Sequence, residues 1–161
     1  MPTFIVTSQK QACEIALKTN ASHMLSLLDP GEKMVTPITI RPENHVLINF
    51  EDVERPSKFA PTQQHVREIL TWGYTVPDDN CIAIVHCFAG ISRSTAAGLA
   101  LNIQRFGFNA EKLSKWLEHR PNAWPNSLIA RYADDLLGLN GKLIKFVVDF
   151  KARRRDISFL L

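Results

Sequence analysis

A single segment near the middle of the chain constrains its fold more strongly than any other feature of the sequence. The apolar run Ile82–Val85 has the continuous character of a strand that is covered on both faces. Residues 86–94, HCFAGISRS, follow it and lead into the Ala-rich stretch Thr95–Leu101, which is apolar on almost every side of a helix. The segment therefore predicts a buried strand that ends at a cysteine, a short loop, and a central, buried helix over about residues 94–106.

The loop between this strand and helix has the composition of an anion-binding site built around a nucleophile. Its backbone N–H groups and the positive end of the helix are expected to converge on one point, which suits phosphate. The same field favours the thiolate form of Cys87, and Gly90 lets the backbone approach the anion without a Cβ in the way. Arg93 adds a planar guanidinium that can bind two phosphate oxygens. The residues predicted to bind phosphate are Phe88, Ala89, Gly90, Ile91, Ser92 and Arg93.

The order His-Cys-x-x-Gly-x-x-Arg-Ser in residues 86–94 resembles the signature of the cysteine-dependent protein tyrosine phosphatase superfamily, and every signature position is filled. The compact chain and its mid-sequence cysteine are similar to the dual-specificity branch. This resemblance implies a phosphoester hydrolase that needs no metal or other cofactor. It implies a phosphocysteine intermediate and phosphotyrosine, phosphoserine or phosphothreonine of proteins as substrates. It also implies that Ser94 helps the sulfur to leave, and that His86 hydrogen-bonds around the nucleophile and helps to hold it as thiolate.

Other interpretations of the same residues remain open. Cys87 could be a buried core cysteine beside a surface Arg93, and a rhodanese-like sulfur carrier also places a cysteine on an anion-binding loop. Neither interpretation explains the glycine, the arginine and the Ser94 hydroxyl at these spacings. A pseudophosphatase that binds phosphate without turnover is a further alternative, as is a phosphatase for a small or lipid phosphoester. Highly charged inositide substrates are disfavoured by the uncharged loop residues Phe88, Ala89, Ile91 and Ser92.

A phosphatase of this kind also needs a carboxyl group that gives a proton to the leaving oxygen. In a parallel sheet that group must lie at the edge where the strands end, beside Cys87. Asp78 and Asp79 precede the catalytic strand and are therefore expected at its opposite end. Asp134 and Asp135 fall within a helical pattern and are predicted to lie on its solvated face. These four carboxylates are therefore set aside as candidates.

Carboxylates that follow the other predicted strands remain as candidates for the acid. Asp29 follows one of these strands, and Glu51, Asp52 and Glu54 follow another. In the phosphatases that the chain resembles, the acid lies a few tens of residues before the cysteine, a spacing that Asp52 matches and Asp29 exceeds. The resemblance therefore favours Asp52 as the acid, with Glu54 and Glu51 as rivals. The structural alternative is that Asp52 only caps the turn that follows it.

The alternation of apolar strands with helical patterns predicts an α/β fold, with a small, largely parallel sheet flanked by helices. Together with the resemblance, it indicates the three-layer sandwich of the phosphatases. A length of 161 residues with 45% hydrophobic content favours a single domain over residues 1–161. The predicted strands are Phe4–Val6, His23–Leu28, Val46–Phe50 and Cys81–Val85. The predicted helices lie at about 9–18, 62–72, 94–106, 109–119 and 126–138, and residues 143–150 favour a final helix over a strand.

The remaining composition gives weaker indications about environment and partners. A net charge of +3 is mild and indicates no nucleic-acid partner, and its basic run Lys151–Arg155 is typical of a solvated helix end. The three cysteines are too few for a disulfide framework and form no C-x-x-C zinc pair, so the cytoplasm is the expected location. No segment has the apolar length needed to span a membrane, and no signal peptide is recognised. The expected partner is a phosphorylated protein or a small phosphoester, and the sequence leaves the oligomeric state open.

Two further residues have both a structural and a functional interpretation. Cys81 could form a protective disulfide with Cys87, but its place at the start of the strand favours an inert core thiol. Asn126 resembles a residue that braces the phosphate loop in dual-specificity phosphatases, whereas its position before a helical pattern favours a capping role. For both residues the sequence favours the structural interpretation.

Overall fold

A four-stranded parallel sheet forms the centre of the molecule, for which a computed structural model describes residues 1–158. Its strands are β1 (Thr3–Ser8), β2 (His23–Leu28), β3 (His45–Asn49) and β4 (Ile82–Cys87). The strands lie side by side in the order β1-β4-β2-β3, and every neighbouring pair is parallel. All four strands therefore end at the same edge of the sheet, where the segments that follow them face one another.

Helices cover both faces of this sheet. The helix α1 packs on one face, where Ala12 and Ala16 contact Met24 and Ile84. On the opposite face, sheet residues such as Leu25 pack with α2, α3 and α5 in the larger apolar cluster. No helix within the described residues is both long and apolar enough to cross a membrane. The predicted α/β sandwich is confirmed, and its helices are α1 (Gln9–Thr19), α2 (Gln63–Thr75), α3 (Arg93–Phe106), α4 (Ala110–Glu118), α5 (Ser127–Leu136) and α6 (Lys142–Ser158).

The helix α3 is the central helix of the larger layer, as the sequence predicts. Small residues bring it close to its neighbours, and Ala96 and Ala97 are fully buried. At Gly98, an added Cβ would lie 2.7 Å from a methyl group of Val6 and 2.8 Å from the ring of Trp116. This close packing holds α3 against β1 and α4, and so it helps to fix the position of Arg93 at the start of the helix.

The strand β4 ends at Cys87, as the strand-loop-helix pattern predicts, two residues beyond the predicted apolar run that stops at Val85. In these last residues His86 pairs with Thr7 and Cys87 pairs with Ser8 in β1. A short 3-10 turn at Pro42–Asn44 precedes β3. The ambiguous C-terminal stretch forms the helix α6, in agreement with the preferred prediction.

The prediction that Asp134 lies on a solvated helix face is wrong. Its carboxylate is buried and accepts hydrogen bonds from the backbone N–H groups of Gly141 at 2.6 Å, Leu143 at 2.6 Å and Ile144 at 3.1 Å. Gly141 directly precedes α6, and Leu143 and Ile144 lie in its first turn, where backbone N–H groups have no intrahelical acceptors. Asp134 is therefore the cap that joins α5 to α6, while the neighbouring Asp135 is exposed as predicted.

Candidate active site

The cysteine loop (residues 88–92) connects the end of β4 to the start of α3 and is held closely against β1. Gly90 has a φ of +73°, and a Cβ at this position would lie 2.6 Å from the carbonyl carbon of Thr7. The backbone N–H of Gln9 donates to the carbonyl of Phe88 at 3.2 Å. Glycine is required at position 90, because any other residue would be strained by this φ and would collide with the β1 backbone.

The other side of the cysteine loop is held by the 120–126 segment, which joins α4 to α5. The backbone N–H of Trp124 donates to the carbonyl of Ile91 at 3.0 Å, and that of Asn126 donates to the carbonyl of Ser92 at 3.2 Å. These bonds use carbonyl groups of the loop, not its N–H groups. The loop conformation is therefore set by its neighbours on both sides.

Cys87 lies at the bottom of this loop and is only 1% exposed. Its Sγ is 3.1 Å from the hydroxyl oxygen of Ser94, and the N–H of Gly90 donates to the sulfur at 3.3 Å. The sulfur also lies at the N-terminal end of α3, where the helix dipole favours negative charge. The sulfur therefore lies where a backbone N–H, a hydroxyl and the start of a helix meet.

Arg93 is the buried cation of the site, and its side chain is 3% exposed. Its Nη1 donates to Asp29 Oδ1 at 2.8 Å and to the carbonyl of Phe50 at 2.7 Å. Its Nε is buried and has no hydrogen-bond partner among the described residues, and Asp52 Oδ2 is 4.0 Å away. Buried N–H groups are almost always paired, so this Nε indicates an acceptor that the described residues do not supply. A phosphate oxygen fits that description.

Asp29 is a site residue that sequence reasoning considers only as a disfavoured candidate for the acid. Its spacing from Cys87 disfavours it as the acid, but in the structure its carboxylate accepts a hydrogen bond from Arg93. The signal for this role is its position directly after β2, which lies next to β4 in the sheet. Adjacent strands end side by side, so their first loop residues meet.

Asp52 lies in a cleft of about 580 Å³ in front of the cysteine loop. Its Oδ1 accepts hydrogen bonds from the Ser92 hydroxyl at 2.7 Å and from the side-chain amide of Asn126 at 3.0 Å. The structure therefore brings Asp52, Arg93 and the cysteine loop together, as the sequence predicts. The residues that line the cleft are Asp29, Pro30, Glu51, Asp52, Val53, Phe59, Phe88, Ala89 and Arg93.

The side chain of Asn126 caps α5 and also contacts the residues around Asp52, while its backbone N–H donates to the cysteine loop. Its Oδ1 accepts hydrogen bonds from the N–H groups of Leu128 and Ile129, both at 3.0 Å, and so caps α5. Its Nδ2 donates to Asp52 and to the carbonyl of Val53 at 3.1 Å. Because Asn126 is fully buried, this one amide ties the start of α5 to the Asp52 segment (residues 51–54).

Comparisons with known proteins give a consistent result for this arrangement. No family model and no curated protein matches the chain by sequence. Its structure is similar to that of DUSP15, with a TM-score of 0.66, 18% identity and 92% of each chain covered. The chain has the dual-specificity phosphatase fold.

Two further solved structures show the breadth of this fold. The human tyrosine phosphatase-like serine/threonine/tyrosine-interacting protein has a TM-score of 0.62 and 15% identity, with 85% of this chain and 92% of that chain covered. PTPMT1 in complex with PI(5)P has a TM-score of 0.60 and 14% identity, with 94% of each chain covered. The same dual-specificity phosphatase fold therefore occurs in a protein named phosphatase-like and in one that holds a phosphoinositide.

His86 contacts the backbone of the cysteine and not its sulfur. Its Nδ1 is 3.5 Å from the carbonyl oxygen of Cys87, and its Nε2 is 2.6 Å from the hydroxyl of Ser26, which also lies 2.8 Å from His45. Burial is the main cause that lowers the pKa of His86 to about 4. The ring is therefore neutral near pH 7, and it orients the end of β4 without placing a positive charge beside the sulfur.

Glu54 and Cys81, two further sequence candidates, do not line the cleft. Burial raises the pKa of Glu54, but hydrogen bonds from Lys151 and Ser127 and the charge of Lys151 outweigh it and hold this pKa below its ordinary value. Glu54 is thus an ionised partner of Lys151. Cys81 precedes β4 and Cys87 ends it, so the two sulfurs lie at opposite ends of the strand and cannot form a disulfide. Among the described residues, no group of three or more potential ligands is placed to hold a metal ion.

Proposed function

We propose that this protein is a phosphoester hydrolase that acts through a phosphocysteine intermediate. The observation that carries the proposal is the position of Cys87 Sγ, between the N–H of Gly90 and the hydroxyl of Ser94. Binding of phosphate alone would need the loop N–H groups and Arg93. Phosphate binding would need neither a nucleophile nor a hydroxyl in contact with that nucleophile. Turnover is therefore favoured over a phosphate-binding pseudophosphatase.

In the first step the Cys87 thiolate attacks phosphorus, and a P–S bond forms as the P–O bond to the leaving group breaks. The leaving oxygen keeps the electron pair of that bond and takes a proton from the carboxyl group of Asp52. The loop N–H groups and the free edge of Arg93 bind the other three phosphate oxygens, on which charge builds in the transition state. Asp29 and the carbonyl of Phe50 hold Nη1 of Arg93, so that Nε faces the phosphate.

In the second step water attacks the phosphorus of the phosphocysteine, and the P–S bond breaks. The Asp52 carboxylate takes the proton of the water and is ready for the next cycle. The sulfur leaves as a thiolate, and the Ser94 hydroxyl at 3.1 Å donates a hydrogen bond to it. Inorganic phosphate is the product.

The walls of the cleft support a phosphorylated protein side chain as the substrate. Phe59 and Phe88 are exposed aromatic residues at its mouth, and the carboxylates of Asp29, Glu51 and Asp52 surround the single cation Arg93. This charge balance opposes substrates that carry several phosphates. A singly phosphorylated lipid or small phosphoester is the second candidate, because PTPMT1 holds PI(5)P on the same fold. The proposed location is the cytoplasm, where reducing conditions protect Cys87 from oxidation.

Hydrolysis of an aryl phosphate by the purified protein in the presence of a metal chelator tests the proposal. We expect turnover that persists in chelator and is inhibited by vanadate, which copies the five-coordinate phosphorus. Bound phosphate with no turnover would support the pseudophosphatase alternative. Turnover that disappears when metal is removed would place the protein in a different class of phosphatase.

The Asp52→Asn variant is expected to lose rate by about 10²–10⁴-fold on alkyl phosphates, the usual contribution of a positioned acid. The amide cannot give a proton to an alkoxide, but it keeps the size of the side chain. On an aryl phosphate whose leaving group needs little protonation the loss is expected to be much smaller. The basic limb of the pH–rate profile should also flatten, because that limb reports the proton on the acid.

Glu51→Gln is the matched control for this variant. Glu51 precedes Asp52 and lines the same cleft, so its substitution makes the same change of charge without removing the proposed acid. We expect the control to retain the wild-type dependence on leaving group and pH. If Glu51→Gln loses this dependence and Asp52→Asn keeps it, the acid is assigned to the wrong residue.

A further inference from the structure

The basic C-terminal part of α6 is packed against the active-site loops, although the sequence predicts a solvated helix end. Lys151 is only 6% exposed, and its amine donates to Ser127 Oγ at 2.8 Å and to Glu54 Oε1. The same carboxylate oxygen of Glu54 accepts the backbone N–H of Ser127 at 2.8 Å. The ammonium also lies 5.2 Å from the centre of the Trp124 ring. Lys151 therefore joins α6, the start of α5 and the Asp52 segment.

Arg154 makes a second connection from the same helix. Its guanidinium donates to carbonyl groups of the 120–126 segment, those of Arg120 at 3.1 Å, Ala123 at 3.2 Å and Pro121. This segment in turn donates to the cysteine loop through the N–H groups of Trp124 and Asn126. Lys151 and Arg154 thus contact both segments that border the cysteine loop.

The Asp52 segment depends on such contacts because it has no regular secondary structure. It lies in the long connection between β3 and α2. Asn126 binds Asp52 and Val53 from α5, and Lys151 binds Glu54 from α6. Glu54 is the last of these three consecutive residues, and its carboxylate is directed away from the cleft, towards α6.

We propose that Lys151 is a positioning residue of the active site, which keeps Asp52 beside the cysteine loop through its contact with Glu54. The inference rests on the proposed function, because it takes Asp52 to be the acid. Removal of the amine would leave the Glu54 carboxylate partly buried without its counter-ion, and the segment would move to hydrate it. A misplacement of about 1 Å in a catalytic group can lower a rate by about 10²-fold. Lys151 would then affect the steps that need Asp52 and leave the thiolate unchanged.

The Lys151→Met variant tests this role, because methionine keeps the length of the buried stem and removes the charge. We expect kcat on an alkyl phosphate to fall by roughly 10- to 100-fold, within the range of a lost positioned acid. On an activated aryl phosphate we expect a loss of no more than about threefold, since that leaving group needs little help from an acid. The basic limb of the pH–rate profile should flatten, as it does for Asp52→Asn.

Lys145→Met is the matched control on the same helix. The amine of Lys145 is exposed and pairs with Asp149 at 2.6 Å, away from the cleft. This variant removes one cation and one ion pair of α6 without changing the contacts of Glu54. We expect Lys145→Met to keep the wild-type ratio of the rates on the alkyl and aryl phosphates, and to keep the wild-type pH–rate profile.

A double-mutant cycle separates positioning from general stability. In an Asp52→Asn background the Lys151→Met change should have little further effect on the alkyl phosphate, because the acid is already absent. If the rate loss of the double variant equals the product of the losses of Asp52→Asn and Lys151→Met, the inference is overturned. An equal loss on the alkyl and aryl phosphates in Lys151→Met would overturn it as well. If Lys151→Met does not fold, the double variant Glu54→Gln/Lys151→Met is used instead, because it removes both charges. The ratio of its rates on the alkyl and aryl phosphates is then compared with the wild-type ratio. An inactive wild-type protein would overturn the proposed function together with the inference, whereas an active one with an unchanged ratio overturns the inference alone.

Discussion

The Cys87→Ser variant is expected to lose hydrolysis of an aryl phosphate by on the order of 10³-fold or more, as when a covalent nucleophile is removed. The serine hydroxyl occupies nearly the same space, but it is not ionised near neutral pH and is a much weaker nucleophile than a thiolate. The loop N–H groups, Arg93 and Ser94 remain in place. The fold and the binding of phosphate are therefore expected to survive, which a shift of thermal unfolding by added phosphate measures.

Cys81→Ser is the control for the loss of Cys87. Both changes replace a thiol by a hydroxyl at an end of β4, but Cys81 lies at the end away from the site and donates to the carbonyl of Pro77. We expect this variant to keep its activity. A Cys87→Ser protein that retains more than about a tenth of the wild-type rate would exclude the thiolate mechanism, because a serine cannot replace a cysteine nucleophile without a base to activate it.

The Arg93→Lys variant is expected to lose at least roughly 100-fold in rate although the charge is kept, because transition-state donors of this kind contribute several kcal/mol. In the wild-type protein Nη1 is occupied by Asp29 and the carbonyl of Phe50, and Nε is free to bind phosphate. A lysine side chain has one nitrogen, so it cannot bind Asp29 and the Phe50 carbonyl in the way Nη1 does and also bind a phosphate oxygen in the way Nε does. We expect kcat to fall more than the affinity for inorganic phosphate, which a point charge still attracts.

Arg105→Lys provides the comparison for this change on the same helix. Arg105 lies at the far end of α3, where its guanidinium donates to the carbonyls of Gly73 and Val76 and to Asp78. Its replacement is expected to lower stability and to leave the catalytic constants of the folded protein unchanged. A near-normal rate for Arg93→Lys would mean that Arg93 only joins α3 to the ends of β2 and β3.

The part of the site that the sequence predicts is the part whose residues are close together along the chain. Strand, loop and helix from Ile82 to Phe106 follow from local composition, and the positions of Cys87, Gly90 and Arg93 follow from them. The choice of Asp52 as the proposed acid depends on more than local composition. The rule that parallel strands end at one edge of the sheet leaves several carboxylates as candidates, and the resemblance selects Asp52 among them.

The contacts that sequence reasoning misses join residues that are far apart in the chain. Asp29 and Arg93 are separated by 64 positions, and Glu54 and Lys151 by 97. Periodicity indicates which residues are apolar on a helix face, but it does not identify the partner of a charged residue. For the same reason the sequence predicts Asp134 and Lys151 to be surface residues. Both are buried in the structure, where each makes hydrogen bonds.

Direct detection of phosphate on Cys87 during turnover is the measurement that tests the proposed mechanism most closely. Wild-type protein is mixed with labelled aryl phosphate, stopped during steady-state turnover and digested for mass spectrometry. The Ser94→Ala variant is measured in parallel. It lacks the hydroxyl that contacts the sulfur, so we expect its P–S bond to break more slowly. The mechanism predicts phosphate on the peptide that contains Cys87, and more of it in Ser94→Ala. Label on another residue, or active protein in which Cys87 is never phosphorylated, would contradict it.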